Sequence, residues 1–138
     1  MYDIVIAVDT NTINDTSVTA IAQMCFTGKT DGVVDVNCKV WDNTKILKPE
    51  VHAWAVVINT VYSQLQNKKQ NKTVAIVVDS ELGALQQYNK REKPLVQDIY
   101  LPPGFTLVYA SADTGMEFIA NQLIRICDKC AGEVLSCI

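Results

Sequence analysis

The run Val74-Ala75-Ile76-Val77-Val78 stops at Asp79 and is followed by Ser80 and Glu81. Such an unbroken apolar run reads as a buried core strand, and the SELGALQQYNK stretch after it reads as a short helix. A strand that passes through a helix to another strand demands parallel pairing and a right-handed crossover. This one feature therefore commits the second half of the chain to an α/β plan. It also raises a chemical question, because a carboxylate at the exit of a core strand is awkward in a chain that only has to fold.

The first half follows a different rule. Ile4 to Val8 form an apolar run ending at Asp9, and residues 9–17 (DTNTINDTS) have loop composition. VTAIAQMCF (18–26) and VVDVNCKVW (33–41) have strand character, the second with Val34, Val36 and Val40 on one parity, broken by Cys38. The TGKTDG turn between them carries Gly28 and Gly32. Three consecutive strands in an antiparallel meander are the simplest reading.

From Pro49 the apolar period becomes helical, at 51, 54, 55, 58, 61, 62 and 65, so a helix is predicted over about 49–67 with Pro49 at its first position. TVAIVVD is the fourth strand. Residues 90–104 are irregular, broken by Pro94, Pro102 and Pro103, and FTLVYAS (105–111) is the fifth strand. The closing helix is TGMEFIANQLIRICDKCA, opened by a capping-box spacing from Thr114 to Glu117. The order β-β-β-α-β-α-β-α predicts one domain, 1–138: a mixed five-stranded sheet flanked by helices, antiparallel first and parallel afterwards.

Composition narrows the function. With 49% apolar and 20% charged residues the chain reads as a folded protein, and no apolar run approaches the ~20 residues a bilayer requires. The N-terminus enters a strand directly, without a basic region or cleavage site, which predicts a cytoplasmic protein. The five cysteines then read as reduced thiols, and Cys127-Asp128-Lys129-Cys130, on a helical pattern and without a second matched pair, reads as packed helix thiols rather than a zinc site. A net charge of −3 counts mildly against a general phosphate-wrapping protein, but not against an enzyme that gathers carboxylates around metal.

The acids fall at the ends of elements: Asp9 ends the first strand, Glu50 opens the long helix, Asp79 ends the fourth strand, and Asp113 precedes the last helix. If strands one and four are neighbours, Asp9 and Asp79 stand side by side at the sheet edge where α/β proteins place their sites. Converging carboxylates raise one another's pKa unless a cation joins them, and Mg²⁺ or Mn²⁺ is the natural occupant. Two such ions about 4 Å apart clamp an in-line attack on a phosphodiester.

With these placements the chain resembles the ribonuclease H superfamily, most clearly in AVDTNT (7–12), KPEVHAWAVVINTVYSQL (48–65), IVVDSELGAL (76–85) and ASADTGMEFIANQLI (110–124). The resemblance implies Asp9, Glu50, Asp79 and a fourth acid as catalytic ligands of two Mg²⁺ ions. It also implies cleavage of the RNA strand of RNA–DNA hybrids, leaving a 3′-hydroxyl and a 5′-phosphate. Ser80 matches the polar residue after the fourth-strand acid. The chain departs from the pattern where Asn121 stands at the family's last Asp, with Asp113 as the replacement expected from the loop. The histidine many members carry before the closing helix is absent, since the only His is His52.

Each acid also has a purely structural reading: an Asx-turn for Asp9, a helix-dipole partner for Glu50, helix caps for Asp79 and Asp113. His52 reads as a helix-surface residue and Trp54 as core. Lys68, Lys69 and Lys72 form one basic cluster and Lys90, Arg91 and Lys93 another, the second placed to hold a duplex backbone along with Asn11 and Ser80. A catalytically inactive module of the same fold, binding nucleic acid or protein, is the alternative. A PIN-like nuclease is a further one, suggested by VDTNT but opposed by the two strands read in 17–41. The sequence leaves the oligomeric state open.

Overall fold

The computed structural model describes residues 2–26, 32–46, 48–79 and 101–138. Five strands, β1 (Ile4–Ile13), β2 (Thr16–Cys25), β3 (Val34–Asp42), β4 (Val74–Val78) and β5 (Phe105–Tyr109), form one sheet in the order β3-β2-β1-β4-β5. β1–β2 and β2–β3 pair antiparallel, and β1–β4 and β4–β5 pair parallel. The mixed sheet is the one expected from the sequence, and its antiparallel half excludes the all-parallel sheet of a PIN-like chain.

Helices cover the two faces separately. α1 (Pro49–Asn67) buries Val51, Trp54, Ile58 and Leu65 against Ile4, Ile6, Val8, Ile76 and Val78. α2 (Ile119–Ser136) buries Leu123, Ile124, Cys127 and Ala131 against Ala7, Val18, Ala20, Ala22 and Val77. β4 is therefore buried on both sides along its whole length, which is why it has no polar position. α1 begins at Pro49 as its sequence predicts. Among the described residues no helix is long and apolar enough to cross a membrane. The short helix expected after β4, residues 27–31 of the glycine turn between β2 and β3, and the start of the proline-broken stretch lie outside the described residues.

Several boundaries differ from the sequence expectation: α2 runs on to Ser136, β5 stops at Tyr109, and two further differences bear on the site. β1 does not end at Asp9 but continues to Ile13 and turns through Asn14, whose φ of 53° is the left-handed conformation asparagine tolerates. Polar residues sustain this extension through cross-strand hydroxyl pairs: Thr10 Oγ1 lies 2.9 Å from Thr19 Oγ1, and Thr12 Oγ1 2.8 Å from Ser17 Oγ. α2 starts at Ile119 behind an N-cap Phe118 that gives no side-chain hydrogen bond, so the Thr114–Glu117 capping box is not used. Instead Asn121, in the first turn, reaches back and donates from Nδ2 to the Ser111 carbonyl at 3.0 Å and the Thr114 carbonyl at 2.8 Å. Gly115, at φ 71°, makes room: a Cβ there would lie 2.9 Å from the Asn121 amide.

Candidate active site

Asp9 sits in the middle of β1, one residue beyond Val8, which pairs with Val78 of β4. The parallel register thus sets Asp9 beside Asp79, which follows the last residue of β4. Strand alternation turns the Asp9 side chain, like that of Ala7, toward α2. There it is 5% exposed and lies within hydrogen-bonding reach of the Asp128 carboxyl, two turns into that helix. Glu50, in the first turn of α1, and half-buried Asp79 complete the surrounding negative charge. Asp113 is exposed in the loop before α2, its backbone N–H donating to Ser111 Oγ at 3.1 Å.

The electrostatics all run one way. Asp9 is held far above the usual carboxylate range, first by burial, then by the Asp128 carboxyl within hydrogen-bonding reach of it and by the charges of Glu50 and Asp79. Burial and then Asp79 push Glu50 up to about 7. Asp79 is raised by burial and by Asp128 and Asp113, against which the Ala112 N–H supplies one opposing hydrogen bond. No cation in the described residues relieves Asp9, and its Oδ2 is buried without a hydrogen-bond partner. An acceptor left this way is costly in a structural core. Cys127 shares the environment: burial and then Asp9 push its thiol up to about 12, and it donates to the Ala7 carbonyl at 3.3 Å.

The structure thus gathers Asp9, Glu50 and Asp79 with Asp128, an acid that sequence reasoning passed over. Asp128 lies between two cysteines and drew no attention beside them. Its signal was the helical period: seven residues after Asn121, it shares that residue's face. Asn121 is not a candidate ligand through its amide nitrogen, which the loop carbonyls occupy. Asn11 donates to the Asp128 carbonyl at 3.4 Å, tying β1 to α2. His52 lies against Trp41, ring centroids 5.4 Å apart, away from the acids' face. Ser80, Lys90, Arg91 and Lys93 lie outside the described residues.

An all-oxygen donor set of this kind suits a hard divalent cation, and the orphaned Asp9 Oδ2 is an open ligand atom for one. As they stand, no three acid, histidine or thiol groups among the described residues are gathered closely enough to enclose an ion.

A mixed sheet of this order, with helices on both faces, is a ribonuclease H-like fold. The chain is similar to the protease–reverse transcriptase of prototype foamy virus, with a TM-score of 0.59 and 14% identity over 96% of its length, and it spans 20% of that polypeptide. It is also similar to LC11-RNase H1, solved in complex with an RNA/DNA hybrid, with a TM-score of 0.50 and 14% identity over 92% of this chain and 98% of that one. No family model and no protein of curated function matches the sequence.

Proposed function

We propose that the protein is a metal-dependent nuclease that hydrolyses the RNA strand of RNA–DNA hybrids, with Mg²⁺ or Mn²⁺ held by Asp9, Glu50, Asp79 and Asp128. The observation that carries this reading is Asp9: a buried carboxylate with an orphaned oxygen, crowded by three other acids. Its cost to the fold has no structural return. Bound ions would supply a water activated at neutral pH and neutralise charge at the scissile phosphate. The chain's own part is positional. β1 and β4 fix Asp9 and Asp79 side by side, the Ala112 N–H orients Asp79, and α2 overhangs Asp9 with Asp128. Asp113, exposed and acting on Asp79 by charge, is an outer carboxylate of the same cluster. Ser80, by the family resemblance, and the basic residues Lys90, Arg91 and Lys93, by their charge and their place in sequence after Asp79, are assigned to the substrate backbone.

A second reading, a nucleic-acid-binding module without catalysis, is favoured by Asn121, which stands where the resemblance expects an acid and is committed to the 111–115 loop. One assay separates the two. Labelled RNA–DNA hybrid is incubated with the protein and Mg²⁺ or Mn²⁺, alongside Asp79→Asn. Metal-dependent cleavage lost in the variant supports the nuclease; a hybrid retained but left intact by both proteins supports the module.

A further inference from the structure

The C-x-x-C of α2 is only half used by the acid cluster. Cys127 turns inward to Ala7, and Cys130, on the next turn, turns toward the edge strand. There its sulfur lies 2.6 Å from that of Cys38, 92 residues away in sequence. Cys38 is exposed on β3, opposite Ala20 of β2, and its side chain projects to the face that α2 covers. Thiols so placed need little more than side-chain adjustment to reach the ~2.05 Å of a disulfide. Among the described residues no other pair of cysteines is joined by a hydrogen bond. Cys127, fully buried, is sheltered from any oxidant.

We infer that Cys38 and Cys130 form a reversible intramolecular disulfide that fastens edge strand β3 to α2, two residues from Asp128. The oxidant class is a low-molecular-weight disulfide such as oxidised glutathione. One protein thiolate attacks a glutathione sulfur, forming a mixed disulfide and releasing one glutathione thiolate. The second protein thiolate then attacks the protein-side sulfur of that bond, and a second glutathione leaves. The S–S bond of glutathione is broken, one protein S–S bond is made, and the two protein thiol protons end on the two glutathiones. Two electrons pass from protein to glutathione, and reduced glutathione in excess reverses the exchange.

The bond has two consequences. It closes a long loop, which constrains the unfolded chain strongly and raises the melting temperature of the oxidised form by roughly 10 °C. It also holds the turn of α2 that carries Asp128 against the sheet, so that Asp128 stays over Asp9. The cross-link does not depend on the nuclease reading, because it is detected by mass and not by turnover.

The test uses the full chain with excess oxidised glutathione, followed by unfolding in denaturant, alkylation without reductant and intact-mass measurement. Of the five cysteines, three are expected to alkylate, with the protein lighter by two hydrogens before labelling and the melting temperature raised, both effects reversed by dithiothreitol. Cys38→Ser and Cys130→Ser, both at the protein surface, are each expected to abolish the internal disulfide and the thermal shift. Five alkylated cysteines after oxidation overturn the inference. So does an internal disulfide that survives in Cys130→Ser, which would place Cys137 or another thiol in the bond, and so does an oxidised form that melts with the reduced one.

Discussion

Neighbouring residues of β1, part-buried Thr10 and buried Asp9, carry polar groups with opposite fates. Thr10 faces α1 and joins a closed network: its hydroxyl meets Thr19 Oγ1 at 2.9 Å, which also accepts from Trp41 Nε1 at 2.9 Å. One step along, Ser17 Oγ meets Thr12 and accepts from Asn43 Nδ2 at 2.7 Å. Asp9 faces α2 and meets only acids, leaving Oδ2 without a partner. A satisfied polar network is a means of holding strands in register, whereas an unsatisfied, self-repelling cluster is a cost that only a ligand removes. The α1 side also buries one unpartnered group, Trp54 Nε1, but only on the α2 side is the orphan a carboxylate crowded by other acids, and that repulsion marks the chemical face of the strand.

The sharpest way to break that contrast is Asp9→Asn. If the acid face is the catalytic one, hybrid cleavage falls by roughly 10³-fold or more, since the metal's share of transition-state stabilisation is several kcal/mol. At the same time the metal-free variant melts higher than the wild type, because a repelled, desolvated charge is gone. Thermal unfolding in EDTA and initial cleavage rates with Mn²⁺ check both halves. A variant that is less stable and equally active would make Asp9 an ordinary core residue.

A second test uses pH. In the native state Glu50 is raised from 4.5 to about 7, and Asp9 is raised in the same direction. Between the unfolded and folded values the native protein holds protons that the unfolded chain has released. Stability of the metal-free protein is therefore full below about pH 4 on this account and is lost as pH rises through 7. Glu50 alone accounts for about 1–2 kcal/mol after solvent screening. Saturating Mg²⁺ is expected to flatten the decline. A melting temperature independent of pH over that range would show that the acids do not interact.

The satisfied face responds differently. Thr19→Val removes the hydroxyl that Thr10 and Trp41 share and strands the indole N–H, for a loss of about 1–3 kcal/mol by chemical denaturation. Cleavage by the folded fraction is expected to stay at the wild-type rate. A large fall in kcat with little loss of stability would move the functional face to the α1 side of β1.

How far the sequence carries the fold can be argued from the same strand. The periods of residues 49–67 and 74–78 are strong because each element is packed against a core, whereas the alternation of residues 33–41 marks an edge strand whose Val36 and Val40 stay exposed. β1 was cut short at Asp9 because its outer half, Thr10 to Ile13, is held by hydroxyl pairs with a strand that periodicity cannot see. The capping box at Thr114 was a correct local pattern overruled from within the helix, where Asn121 secures the loop from the other side. Asp128 was hidden for a related reason. An acid on a helix is ordinarily solvated, and only the approach of α2 to β1, through Cys127 and Ala7, brings it over Asp9.

The smallest expected effect separates the two candidates for the fourth carboxylate. Asp128 raises both Asp9, within hydrogen-bonding reach, and Asp79, whereas Asp113, exposed like Asp128, acts on Asp79 alone. Asp128→Asn is therefore expected to lower both activity and metal affinity, measured as the Mn²⁺ concentration for half-maximal cleavage. Asp113→Asn is expected to change either by no more than about threefold, since one exposed, screened charge is worth well under 1 kcal/mol. The reverse ranking would mean that the 111–115 loop, with Asn121 beneath it, closes over the site and delivers Asp113 as the ligand. The helix residue would then serve only to raise Asp9.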